Sequence, residues 1–110
     1  MDSYGRVAKI GIDPGANEAY FADGYLNKRI AVVDVDTGEL KRFWGAYGND
    51  PDDDYDFGGP YQPGEEGKQQ FRGPVHCSEI SNDGLVYICD RAADRIQVFQ
   101  KDGTLSLIHI

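Results

Sequence analysis

The side chains able to do chemistry in this chain are few, and each has a plainer use beside the chemical one. Of its two histidines, His76 lies in a strand-like run and His109 lies next to the last residue. A lone imidazole on a strand is more often a satisfied polar group than a ligand or a base. Asp23 and Asp90 each close a strand-like run and are each followed a few residues later by an arginine, Arg29 or Arg95. Acids at strand ends can be catalytic, but these two occupy the same place in a repeated pattern, which favours a structural use. An Asp opening a turn can bond its own following backbone N–H groups, with the arginine as compensating charge. Asp52-x-Asp54-x-Asp56 begins like a calcium loop, yet Phe57 stands where such a loop needs glycine and Pro63 where it needs the closing glutamate. With Asp50 and Asp53 it reads as a solvated acidic loop. Cys77 and Cys89 flank the turn signal Asn82-Asp83-Gly84 and could face each other across a hairpin, within reach of a disulfide. The simpler expectation is two free thiols used as small core hydrophobes.

Composition limits the partners these residues could serve. The 110-residue chain has 40% hydrophobic and 12% aromatic residues, which sets it apart from disordered sequences. Its net charge of -8, from 19 acidic and 11 basic residues, would repel a phosphate backbone, so no nucleic-acid partner is expected. No apolar run is long enough for a membrane span. Met1 to Tyr4 leads directly into a strand-like run, without the charged and apolar regions of a signal peptide. The compartment stays open, with an extracellular or periplasmic setting as the working expectation.

The elements that must position these residues come from an internal repeat. Tyr20-Phe-Ala-Asp23-Gly-Tyr-Leu-Asn-Lys-Arg29-Ile30-Ala-Val32-Val33 recurs as Tyr87-Ile-Cys-Asp90-Arg-Ala-Ala-Asp-Arg95-Ile96-Gln-Val98-Phe99, with one residue fewer in the connection. Each copy reads strand, Asp-led turn, strand. A strand and turn precede each: Val7–Ile12 with Asp13-Pro14-Gly15, and Val75–Ile80 with Asn82-Asp83-Gly84. Gly38 and Gly103 then open a fourth strand, which is Leu40–Trp44 in the first copy. The pattern predicts an all-β chain of two twisted, four-stranded antiparallel sheets packed face to face, with no helix between Val7 and Phe99. Four strands per repeat select a β-propeller over a sandwich or barrel. The units are 1–45, an acidic loop rich in Pro and Gly over 46–70, and 71–110. Two blades leave two outer faces without partners, so the chain by itself is expected to be weakly stable.

The run of Ala-Asp, a short polar turn, Arg-Ile-x-Val, Gly and Phe-Trp-Gly, then Phe71-x-x-Pro74, resembles the NHL repeat over almost all of Val7 to Gly103. That family implies a probable six-bladed propeller, of which this chain is a two-blade fragment, and a binding scaffold for a protein, a peptide or a small-molecule ligand in the channel. A more specific likeness is to the zinc-dependent peptidylglycine α-amidating lyases, which cleave peptidyl-α-hydroxyglycine. Ala22-Asp23-Gly24-Tyr25-x-Asn27-x-Arg29-Ile30 matches their segment carrying a tyrosine proposed as catalytic base, which implies that role for Tyr25. Phe71-x-x-Pro74-Val75-His76 resembles the segment that supplies one zinc-binding histidine, with Val75 as an extra residue, which implies His76 as a metal ligand. The other two histidines would lie outside this chain, so any zinc belongs to the full-length parent. His109 matches no family position, and Leu105–Ile110 resembles translated adapter sequence appended to a gene fragment.

Overall fold

The computed structural model describes residues 3–52, 54–63 and 68–109. Asp53 of the acidic loop and Ile110 of the terminal tail lie outside the described residues. Eight strands run in order: β1 Lys9–Asp13, β2 Glu18–Asp23, β3 Arg29–Asp34, β4 Leu40–Trp44, β5 Val75–Ile80, β6 Val86–Asp90, β7 Arg95–Phe99 and β8 Leu105–His109. They form two four-stranded antiparallel sheets, each a simple meander: β1-β2-β3-β4 and β5-β6-β7-β8. Among the described residues no helix is long and apolar enough to cross a membrane. Two single 3-10 turns, Ala46–Gly48 and Arg91–Ala93, depart from the strands and loops expected. The first sits in the connecting loop and the second forms the turn after Asp90.

Strand formation follows from alternation of apolar and β-branched residues along each run. Two of the turns between them are closed by aspartate side chains. Asp34 Oδ1 accepts hydrogen bonds from the Asp36 and Thr37 N–H groups, and Asp102 Oδ1 accepts one from Thr104 N–H. These donors favour the ionised carboxylates, so both acids are held below the usual carboxylate range. Gly103 adopts φ +94°, and a Cβ there would lie 2.9 Å from the Trp44 indole. Both observations require glycine at that turn.

A single apolar core lies between the sheets. Tyr20, Ala22, Ile30, Val32 and Trp44 from one sheet meet Val75, Val86, Ile88 and Phe99 from the other, with Phe71 of the connecting segment. The Trp44 and Phe99 rings pack at 5.6 Å between centroids. Gly11 lets the sheets approach closely, since a Cβ there would stand 2.5 Å from the Ser78 carbonyl oxygen. Polar groups also cross the junction: Lys9 pairs with Glu79, and Arg42 Nε donates to the Lys101 carbonyl at 2.7 Å.

The same Arg42 forms a fork on buried Glu18, with Nη1 to Oε2 at 2.8 Å and Nη2 to Oε1 at 3.0 Å. Lys41 and the Tyr20 hydroxyl complete the shell around that carboxylate. The Arg42 hydrogen bonds are the largest influence and hold Glu18 at about 2, against the opposing effect of burial. Burial, aided by Glu18, pushes the Tyr20 phenol well above its ordinary value.

Asp23 and Asp90 are structural, but by a different route from the one expected. From its own following turn Asp23 accepts a bond from the Asn27 side chain, not the expected backbone N–H, and Asp90 caps the Arg91–Ala93 turn without a side-chain hydrogen bond. Both side chains are fully buried and reach back to the segment that enters the first strand of their own sheet. Gly5 N–H donates to Asp23 Oδ1 at 2.7 Å, while Gly73 N–H and Arg72 N–H donate to Asp90 at 2.8 and 3.1 Å. Arg29 Nε and Arg95 Nε supply the balancing charge at 2.8 and 2.9 Å. The arginines then bond the same incoming segments, Arg29 to the Ser3 carbonyl and Arg95 to the Lys68 and Gln70 carbonyls. A carboxylate removed from water needs donors wherever they stand, and here the unpaired ones belong to the incoming chain.

Cys77 and Cys89 form a disulfide, where free thiols were expected. They are direct cross-strand partners with Cα atoms 4.9 Å apart, brought together by a register that is regular from Cys77 to Ile80.

Two outcomes follow. Asp90→Ala leaves Arg95 buried without its counter-charge and strands two N–H groups, so urea titration should show a loss of about 3–5 kcal/mol. For Glu18, the folded pKa lies below the unfolded one, so its contribution is complete above about pH 4.5 and is lost as pH falls toward about 2. Stability should drop by on the order of 2–3 kcal/mol across that window, and Glu18→Gln should flatten that part of the profile.

Candidate functional site

Tyr25 and His76 come from different sheets and meet at one exposed rim. Tyr25 sits in the turn between β2 and β3, and His76 sits near the start of β5. The Tyr25 hydroxyl lies 3.0 Å from His76 Nε2, and the rings pack edge to face at 5.7 Å. Tyr25 is 50% exposed, and His76 is also exposed.

Backbone contacts beneath the two rings bring them together. A Cβ on Gly24 would fall 2.1 Å from Val75 N and 2.2 Å from its carbonyl oxygen. Only glycine allows the β2–β3 turn to lie directly against the start of β5, and the residues that follow these two, Tyr25 and His76, become neighbours. The turn itself is tied down on its other side. Leu26 N–H donates to the Gly5 carbonyl at 2.8 Å, and Asn27 Nδ2 donates to Asp23 Oδ2 at 3.0 Å.

His76 owes its direction to a bulge. Val75 pairs with Asp90 and Cys77 pairs with Cys89, so β5 has one residue more than β6 across this step, and that residue is His76. A bulge removes a residue from the ladder and re-aims its side chain.

The acidic loop takes part in this rim and is more than a solvated excursion. Phe57 lies between two cations, with Lys28 Nζ 4.9 Å and the Arg72 guanidinium 4.6 Å from its ring centroid. Tyr55 packs on Phe57 edge to face at 4.7 Å, and Arg72 Nη1 donates to the Gly59 carbonyl at 2.8 Å. These contacts tether the loop to the Tyr25 turn and to the segment before β5. The signal was present in the sequence as Tyr55 among the aspartates and Phe57 and Tyr61 just after them. Asp52 and Asp56 use Oδ1 to accept the Asp54 and Gly58 N–H groups, which closes local turns.

Among the described residues no group of three His, Cys, Asp or Glu side chains could hold a metal ion. His76 has Tyr25 as its neighbour, and a phenol with a single imidazole does not make up a zinc coordination sphere. A separate shallow depression of about 300 Å³, lined by Phe43, Trp44, Tyr47 and Gly103 among others, shares no residue with this rim.

No family model matches the chain, and no curated protein matches it.

Gly24→Ala is expected to force the β2–β3 turn off Val75. The chain should lose about 1–3 kcal/mol in chemical denaturation, as overpacked sites do. The Tyr25–His76 contact should disappear with it, seen as loss of the cross-peaks between the two rings in an NMR spectrum.

Proposed function

We propose that this chain is a two-blade piece of an NHL-type β-propeller that acts as a binding scaffold, and that Tyr25 and His76 form its ligand contact. The observation that carries the reading is the exposed Tyr25–His76 pair, supported from below by backbone contact between two sheets. A phenol and an imidazole offer donor and acceptor groups on apolar rings, which suits a peptide or a small polar molecule better than an apolar one. Their placement on rigid elements, with the Phe57 loop alongside, gives the pre-organisation that recognition needs. The cross-strand disulfide also fits a protein of an oxidising compartment, extracellular or periplasmic.

A second reading, a zinc-dependent peptidyl-α-hydroxyglycine lyase, is favoured by one specific observation. The two residues that the sequence likeness assigns to base and metal ligand, far apart in the chain, lie within hydrogen-bonding distance. The residues present do not fit a complete zinc site, because they contribute one imidazole of the three required, so no reaction step is derived through the metal.

One experiment separates the readings. Short peptides ending in glycine or in α-hydroxyglycine are titrated into the isotopically labelled chain, and glyoxylate release is assayed with added zinc on the longest natural form of the protein. The scaffold reading predicts shift changes at Tyr25 and His76 that are abolished by His76→Ala, with no glyoxylate formed. Glyoxylate release that is lost in both Tyr25→Phe and His76→Ala would replace it with the lyase reading. Shift changes confined to other residues would remove the rim from either.

A further inference from the structure

Of the seven tyrosines in the chain, Tyr55 alone has an acidic residue directly on both sides, Asp54 and Asp56, with Asp52 shortly before them. The fold leaves it within reach of another protein. Tyr55 is 36% exposed, and its ring packs on one neighbour, Phe57, edge to face at 4.7 Å between centroids. Residues 55–57 belong to no strand or helix, and the turn-formers Gly58, Gly59 and Pro60 follow at once. A stretch of this kind can enter an enzyme's cleft as an extended peptide without breaking a sheet. The other tyrosines lack one condition or another. Tyr20 is fully buried, Tyr87 lies inside β6, and the Tyr25 hydroxyl faces His76 in the turn that carries Lys28.

A second observation concerns the enzymes this loop would meet. The Cys77–Cys89 disulfide fits maturation in an oxidising compartment, away from the cytosol where tyrosine kinases act. The phenol-modifying reaction of the secretory route is sulfuryl transfer. Its donor is an anionic nucleotide phosphosulfate, so the cleft that holds donor and transferred group must be cationic. A cationic cleft draws in and orients a tyrosine with carboxylates on both sides, and it discriminates against one without them.

From the flanking carboxylates, the exposed ring and the disulfide together, we propose that Tyr55 is a sulfation site. In the reaction the Tyr55 phenol oxygen attacks the sulfur of the phosphosulfate. The new O–S bond forms as the bond from sulfur to the donor's bridging oxygen breaks, the nucleotide leaves as its phosphate, and the phenol proton passes to a base of the transferase. Nothing is oxidised or reduced. The product is an aryl sulfate with a fixed negative charge, carried by a ring that packs on Phe57 between Lys28 and Arg72. The proposal rests on this loop and the disulfide, and is independent of any role for Tyr25 and His76 and of what precedes or follows this chain.

Two measurements test it. The longest natural form of the protein is directed through the secretory route of a eukaryotic cell line, and the Tyr55 peptide is weighed at a mass accuracy that separates a sulfuryl from a phosphoryl group. It should carry one sulfuryl group, labile to acid and resistant to phosphatase. The same protein, purified without the modification, is then incubated with a tyrosylprotein sulfotransferase and labelled nucleotide phosphosulfate. Label should enter at Tyr55 and be lost in Tyr55→Phe, which keeps the ring on Phe57. Asp54→Asn with Asp56→Asn should slow the reaction by about tenfold or more, as loss of electrostatic steering does. Urea titration checks that both variants unfold as the native protein does. An unmodified Tyr55 in either measurement overturns the proposal, as does a phosphoryl group in its place, label placed chiefly on another tyrosine, or a rate indifferent to the two aspartates.

Discussion

Two carboxylates withdrawn from water, Asp23 and Asp90, govern how this chain is arranged around its one candidate site. Each is fully buried against an arginine, and each binds backbone N–H groups from the segment entering its own sheet. Such a pair contributes modest net stability, because desolvation consumes most of the attraction, but it penalises alternative arrangements heavily. Its effect here is geometric. Asp90 fixes Arg72 and Gly73, which sets the path of Pro74 and Val75 and the direction of His76. Asp23 fixes Gly5 and Asn27, which hold the turn bearing Tyr25.

The two halves of the site are therefore positioned by the same device used twice, and Gly24 joins them. Where a Cβ would collide with Val75, its absence lets one sheet's turn rest on the other sheet's first strand. The Tyr25–His76 contact then depends on backbone that is buried and hydrogen-bonded, although both rings are exposed. An exposed polar pair on a buried, satisfied base is what a recognition surface requires. The Glu18–Arg42 fork ties the sheets a second time, through the Lys101 carbonyl.

Much of this architecture was legible in the sequence because the repeat carries local signals. Tyr20 to Val33 and Tyr87 to Phe99 share apolar alternation and an Asp-led turn, and period-2 patterning gives strands directly. Val75–Ile80 and Leu40–Trp44 match the expected runs, while the first strand starts later than Val7, at Lys9. What the pattern does not encode is long-range pairing of polar groups. The backbone donors to Asp23 and Asp90 lie far upstream, and only the folded path brings those N–H groups to the carboxylates. The disulfide was open for a related reason, since the hairpin's register decides whether two cysteines oppose each other. The meeting of Tyr25 and His76 was implied by likeness alone; its physical cause, a glycine contact and a bulge, involves residues that no local rule connects.

The central claim is that the buried Asp90 hub, acting through the 72–75 segment, holds His76 against Tyr25. The most direct measurement is the cross-relaxation between the Tyr25 and His76 ring protons in the native chain and in Asp90→Asn, which keeps the side chain's shape and removes its charge. The account predicts a clear cross-peak in the native chain and its marked weakening in the variant, while the β-sheet signals of β6 and β7 persist. An undiminished cross-peak in folded Asp90→Asn, or none in the native chain, would contradict it.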